Sequence, residues 1–136
     1  MKPFNINFLD HVAIYVEDIG VSVAWYSIVL GLKKYQLQEW GDFPIFMLAG
    51  KTGVAIFPAN FEHEKINQES RNVSIDHFAF NVSNNDFKKA QDYFKSIGEI
   101  FQFQDHHYFH SIYLRDPDNH KVELTTLLVD DSVFYK

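Results

Sequence analysis

Leu9-Asp10-His11-Val12-Ala13-Ile14-Tyr15-Val16 returns further along the chain as Ile75-Asp76-His77-Phe78-Ala79-Phe80-Asn81-Val82. Asp, His, Ala and Val keep their places in the second copy, 66 residues on, close to half of the 136-residue chain. Each copy alternates with the period of two that marks a strand, with a histidine on one face and apolar side chains on the other. The chain reads as one unit written twice.

The segments C-terminal to the two octamers match each other as well. Asp18 is placed to cap a helix from about Gly20 to Leu30, and Gly31 stands where a left-handed C-terminal stop is wanted. The apolar positions Val21, Trp25, Ile28, Val29 and Leu32 fall at helical spacing. Strand-like pieces come next at Lys33 to Trp40, Ile45 to Leu48 and Val54 to Phe57, with glycine-containing turns between them. Pro58 to Asn72 is polar and has the composition of a linker. Beyond it Ser83-Asn84-Asn85 caps a second helix with Phe87, Ala90, Phe94 and Ile97 on one face, and Gly98 ends it. Strands are expected at about Ile100 to Gln104, Ser111 to Arg115 and Val122 to Thr126. Both halves are βαβββ, so the fold class is α+β with two tandem modules. The bounds are about 8–58 and 73–128, joined by a linker of about 59–72, within a single domain over 1–136. The apolar Val133-Phe134-Tyr135 is expected to dock beyond the last strand.

Composition narrows the partners. At 46% apolar and 17% aromatic residues the chain can fill a core, and a net charge of −6 disfavours a nucleic-acid partner. No apolar run is long enough to span a bilayer, and the N-terminus lacks a signal-peptide pattern, so a cytoplasmic protein is the expectation. The absence of cysteine removes disulfides, thiolate ligands and a cysteine nucleophile together.

Alternation then sorts side chains by face. Val12, Ile14 and Val16 go toward the helix, so His11, Ala13 and Tyr15 face the other way. By the same rule His77, Ala79 and Asn81 share a face, as do Ser111, Tyr113 and Arg115, and Glu123 and Thr125. Two curved sheets of this kind present His11, His77, Tyr113 and Glu123 to one concave surface. The position matching Glu123 in the first copy is Ala55, which offers no donor. Two imidazoles and a carboxylate with open positions suit Fe(II), and Mn(II) or Zn(II) also accept such donors.

These residues carry a family resemblance over about Phe8 to Leu127. Asp10-His11-Val12-Ala13, Trp25 to Leu32, Asp76 to Phe80 and Ser111 to Leu124 together resemble the vicinal oxygen chelate superfamily. Glyoxalase I, bleomycin-resistance proteins, fosfomycin-resistance enzymes and type I extradiol dioxygenases belong to it. The resemblance implies a glyoxalase-like fold in which paired modules form a curved mixed-sheet cup around a divalent metal. The ligands would be His11, His77 and Glu123.

The subfamilies imply different chemistry. Glyoxalase I would need a fourth ligand where Ala55 stands. Fosfomycin-resistance enzymes share the length and the ligand set, but Ala13 replaces their substrate-binding threonine, and their potassium-binding loop has no match. Extradiol dioxygenases carry a tyrosine ten residues before the glutamate ligand, as Tyr113 precedes Glu123. They also have a histidine shortly before it, as at His106, and an acid-base histidine between the metal histidines, as at His63. The resemblance therefore points first to an Fe(II) extradiol-type dioxygenase of a catechol-like small molecule. His63 or His106 would be its acid-base and Tyr113 would stabilise charge. The alternative is another metal-assisted enzyme, an isomerase, a lyase or a glyoxalase- or fosfomycin-resistance-like transferase, or else a metal-free binding protein. His107, His110 and His120 read as loop and turn residues, and the family's habit implies a homodimer.

Overall fold

Each octamer becomes the first strand of a four-stranded sheet. The structure, a computed structural model, describes residues 3–59, 71 and 73–135. The chain divides into two units, residues 1–65 and 66–136. The first carries β1 (His11–Val16), α1 (Ile19–Ile28), β2 (Lys33–Tyr35), β3 (Ile45–Ala49) and β4 (Thr52–Pro58). The second carries β5 (His77–Asn81), α2 (Asn84–Ser96), β6 (Gln102–Asp105), β7 (Phe109–Arg115), β8 (Lys121–Leu127) and the short α3 (Asp131–Phe134).

The sheet orders are β1-β4-β3-β2 and β5-β8-β7-β6. In each, the first and last strands run parallel and the remaining pairs antiparallel. A parallel pair needs a crossover, and the helix after the first strand begins it. This is the glyoxalase-like α+β fold expected from the repeat. No helix among the described residues is long and apolar enough to cross a membrane.

Caps start both helices as their sequences dictate. Asp18 Oδ1 accepts from the N–H of Val21 at 3.0 Å, and Ser83 Oγ accepts from that of Asp86 at 3.1 Å. Each such cap is worth about 1 kcal/mol. Gly31 (φ 67°) and Gly98 (φ 77°) end them in the left-handed region that glycine enters without strain.

The buried face of α1 differs from the one its apolar spacing suggests. Ser22, Tyr26 and Val29 are buried, whereas Val21 and Ile28 are exposed. The i, i+4, i+7 row that meets the sheet is Ser22, Tyr26 and Val29, so a small polar residue and not Val21 lies on the buried stripe. Against α1 the sheet buries Ile14, Val16, Ile45, Met47, Val54 and Ile56. In the second unit, α2 buries Phe87 and Phe94 over Ile112, Leu114, Val122 and Leu124, while Ile97 remains 40% exposed. β2 also stops at Tyr35, and Gln38–Trp40 forms a 3-10 turn instead of continuing the strand. The C-terminal segment docks only in part: the ring of Phe134 lies 5.6 Å from that of Phe109, but Val133, Phe134 and Tyr135 all stay exposed.

The turn between β7 and β8 is built around Asp116, whose side chain is fully buried. Its Oδ1 accepts from the N–H groups of Asp118 (3.0 Å) and His120 (2.8 Å), and its Oδ2 lies 2.8 Å from His120 Nδ1. The bond to Asp116 raises the His120 pKa above 6.5, against the opposing pull of burial. A folded-state pKa raised above the unfolded one stabilises fully below about pH 6.5 and fades as pH climbs through the raised value. His120→Gln should therefore be less stable than wild type in acid, by an amount that shrinks in alkali. Urea midpoints at roughly pH 5.5 and 8.5 check this, and a deficit independent of pH would contradict it.

Candidate metal centre

Register places the site side chains on one face of each sheet. In the second unit His77 pairs with Lys121, and Ala79 with Glu123, across β5 and β8. Across β7 and β8, Ser111 pairs with Thr125, Tyr113 with Glu123 and Arg115 with Lys121. Gln102 pairs with Tyr113, and Gln104 with Ser111, from β6. All of these side chains point away from α2, whose core lies on the alternate face.

Three of them, His77, Tyr113 and Glu123, converge, and Asp76 and His106 join them. Nε2 of His77 lies 2.9 Å from Oε2 of Glu123, whose side chain is 6% exposed. Nδ1 of the same ring lies 2.6 Å from Oδ2 of Asp76. The Tyr113 ring stands edge-on to that of His77, with centroids 5.6 Å apart. Its hydroxyl is 3.0 Å from Nε2 of His106. Hydrogen bonds from His77 and then from Lys121 hold the Asp76 carboxyl below the usual carboxylate range. Burial and then the charge of Glu123 push the Tyr113 phenol above the usual tyrosine value, so it keeps its proton at neutral pH.

The first unit repeats half of this arrangement. Nδ1 of His11 lies 2.8 Å from Oδ1 of Asp10. Phe46 is 5.0 Å from the His11 ring and occupies the register position that Tyr113 has in the second unit, opposite Ala55 instead of Glu123. Ala13 pairs with Ala55 as Ala79 pairs with Glu123, so Ala55 and Glu123 are structural equivalents. Trp40 lies 5.4 Å from Phe46 and extends an aromatic wall on this face. Phe103 sits on the opposite, core side of its sheet, beside Phe87 and His110.

The donors fit a divalent cation. With Nδ1 of His77 facing Asp76, Nε2 is the ring nitrogen turned toward Glu123. Two acceptors 2.9 Å apart, one of them a buried carboxylate, need a cation or a proton between them. Imidazole nitrogen and carboxylate oxygen are the ligand types that Mn(II), Fe(II) and Zn(II) take. Asp76 and Asp10 are the residues that face-sorting missed. An Asp immediately before each histidine was present in both octamers, and a carboxylate that fixes a ligand's tautomer is the common outer partner of a metal-binding histidine.

Other candidates fall elsewhere. His63 lies outside the described residues. His107 occupies a left-handed turn position (φ 70°), its N–H donating to Asp105, and His110 packs on Phe103. Asp116, Asp118 and His120 also form a donor cluster. The Asp116 carboxylate there is already committed to the turn.

The model of the glyoxalase/bleomycin resistance protein/dioxygenase superfamily matches residues 8–124. The chain belongs to this superfamily. Among its relatives, the metallothiol transferase FosB of Staphylococcus epidermidis is 30% identical over 133 residues, covering 96% of this chain and 91% of that protein. The glutathione transferase FosA of Serratia marcescens is 25% identical over 116 residues, covering 85% and 78%. A glyoxalase/dioxygenase of Nostoc punctiforme shares the fold, with a TM-score of 0.73 at 18% identity over 95% of this chain and 97% of its own. Both of the sequence relatives named here are transferases.

Proposed function

We propose that this protein is a metal-dependent transferase that adds a small thiol to a small electrophile, at a centre formed by His11, His77 and Glu123. The observation that carries the reading is the His77–Glu123 pair held by Asp76, together with full-length similarity to a metallothiol transferase. It replaces ring cleavage as the first choice. Tyr113 stands ten residues before Glu123 because the β7–β8 hairpin pairs them across a fixed turn. That spacing belongs to the fold and does not distinguish a dioxygenase from a transferase.

A bound divalent ion supplies Lewis-acid polarisation of the electrophile's oxygen. With an epoxide as electrophile, a sulfur–carbon bond forms, the carbon–oxygen bond breaks, and the thiol proton ends on the new hydroxyl. No electron leaves the reactants, so Mn(II) or Zn(II) suffices and redox-active Fe(II) is not required. Tyr113, protonated and anchored to His106, is the donor available to an oxygen gaining charge. Asp76 and Asp10 fix the imidazoles so that each presents Nε2. Ala13 stands on the His11 face where resemblance to the fosfomycin-resistance enzymes calls for a threonine, so the electrophile must be anchored through other groups.

The test incubates the full-length protein, loaded with Mn(II) or Zn(II), with cysteine or glutathione and an epoxide acid such as fosfomycin. Mass spectrometry should find a thioether adduct that forms only with metal present. No adduct from any pairing, with the metal still bound, would refute the reading.

A further inference from the structure

The connection between β6 and β7 carries His106, the half-buried partner of the Tyr113 hydroxyl. It is a tight turn. The N–H of His106 donates to the Phe109 carbonyl at 2.9 Å, and that of Tyr108 to the His106 carbonyl at 2.8 Å. His107 is held in the left-handed region (φ 70°), which costs a non-glycine residue about 1–2 kcal/mol. A residue in that conformation stays there only while its surroundings hold it. Asp105 supplies one hold, its Oδ1 accepting from the His107 N–H at 2.9 Å.

The C-terminal segment supplies others. The N–H of Leu128, just past β8, donates to the Tyr108 carbonyl at 2.8 Å. Asp130 then caps α3, its Oδ1 accepting from the N–H and the hydroxyl of Ser132 at 3.0 and 2.6 Å. This short helix brings Phe134 to the turn, with its ring 5.6 Å from that of Phe109 and 6.4 Å from that of Tyr108. Phe109 in turn lies 5.1 Å from the His106 ring and is tilted 35° to it. The series ends at Tyr113, whose hydroxyl is 3.0 Å from His106 Nε2. Phe134 is 43% exposed, so it adds only in part to the core, and the ring it does touch is the one that backs His106.

We infer that residues 128–135 position the Tyr113 hydroxyl from outside the centre: Phe134, packed on Phe109, holds the His106 ring where its Nε2 meets the phenol. The terminal torsion of a histidine has a broad preference, so rotamer choice alone does not fix the plane of the imidazole. A ring packed beside it does. A hydroxyl turns to suit its partner, so an imidazole that shifts re-aims the phenol as well. Phe134 is thus a positioning residue, acting through two side chains on the group that meets developing charge. The effect on turnover rests on the thiol-transfer reading, but the placing of the phenol does not.

Tyrosine isotopically labelled at the ring Cζ tests it in the full-length, chelated protein at neutral pH, with Tyr113 assigned by its absence in Tyr113→Phe. His106→Ala should move the Tyr113 resonance. Phe134→Ala should move it the same way by a smaller amount, and Phe134→Leu, which keeps the packing, should restore most of the wild-type position. The double variant Phe134→Ala/His106→Ala should coincide with His106→Ala, because residues acting in series are not additive. A resonance unmoved in Phe134→Ala, or a double variant displaced beyond His106→Ala, would overturn the inference. Where thiol transfer is measurable, Phe134→Ala should lower kcat about tenfold, less than outright loss of an oxyanion donor costs, with KM and bound Mn(II) unchanged. Metal lost together with kcat would show a general loosening and would also overturn it. If no pairing of thiol and electrophile reacts, the tyrosine resonances still decide.

Discussion

Glu123→Ala is expected to lower metal affinity at least about a hundredfold, more than loss of an outer partner of a ligand typically costs, and to remove thiol transfer with it. The same change should leave the metal-free protein as stable as wild type or slightly more so. Glu123 is 5% exposed and its carboxylate lies 2.9 Å from Nε2 of His77, a buried position that costs desolvation and is offset in full when a cation is shared between them. A residue kept at a cost to the apo fold is the mark of a site selected for binding. Elemental analysis after dialysis against Mn(II), together with urea unfolding of the chelated protein, checks both halves. Unchanged occupancy, or an apo protein weakened by several kcal/mol, would mean that Glu123 serves the core instead.

Gly53→Ala is expected to destabilise the fold by about 2–4 kcal/mol, at or above the upper end for overpacked sites. A methyl group at this position would overlap the backbone carbonyl oxygen of Met47, and its next neighbour is the Cα of Leu48, 3.0 Å away. Backbone cannot rotate aside as a side chain can, so β3 and β4 would have to part. Gly53 is also the register partner of His11, so the disturbance reaches a proposed ligand. Denaturant midpoints of variant and wild type measure the cost. A difference below about 0.5 kcal/mol, the range of an ordinary surface change, would show that the strands yield easily.

The fold was legible because local signals agreed with one another. Asp18 and Ser83 cap their helices, Gly31 and Gly98 stop them, and strand alternation set the faces that register then produced. Where apolar spacing and burial disagreed, as at Val21 and Ile28, hydrophobicity said nothing about which neighbour a side chain meets. Small Ser22 lies on the buried row and exposed valine does not. The tyrosine–glutamate spacing does not discriminate for a related reason, since a hairpin makes it whatever the chemistry. Asp10 and Asp76 stood in plain view beside the histidines, but their role lies in a hydrogen bond to Nδ1 that alternation does not report. Arg115 and Lys121 meet only once the length of the Asp116 turn fixes their register.

We propose that His11 and His77, one from each repeat, bind the same ion with Glu123. Ion counting by elemental mass spectrometry on full-length wild type, His11→Ala, His77→Ala and Asp116→Asn decides it most directly. Stoichiometric Mn(II) in wild type and Asp116→Asn, lost in both histidine variants, is the predicted result. Full occupancy in His11→Ala would remove His11 from the centre, and loss in Asp116→Asn alone would move the metal to the β7–β8 turn; either result contradicts it.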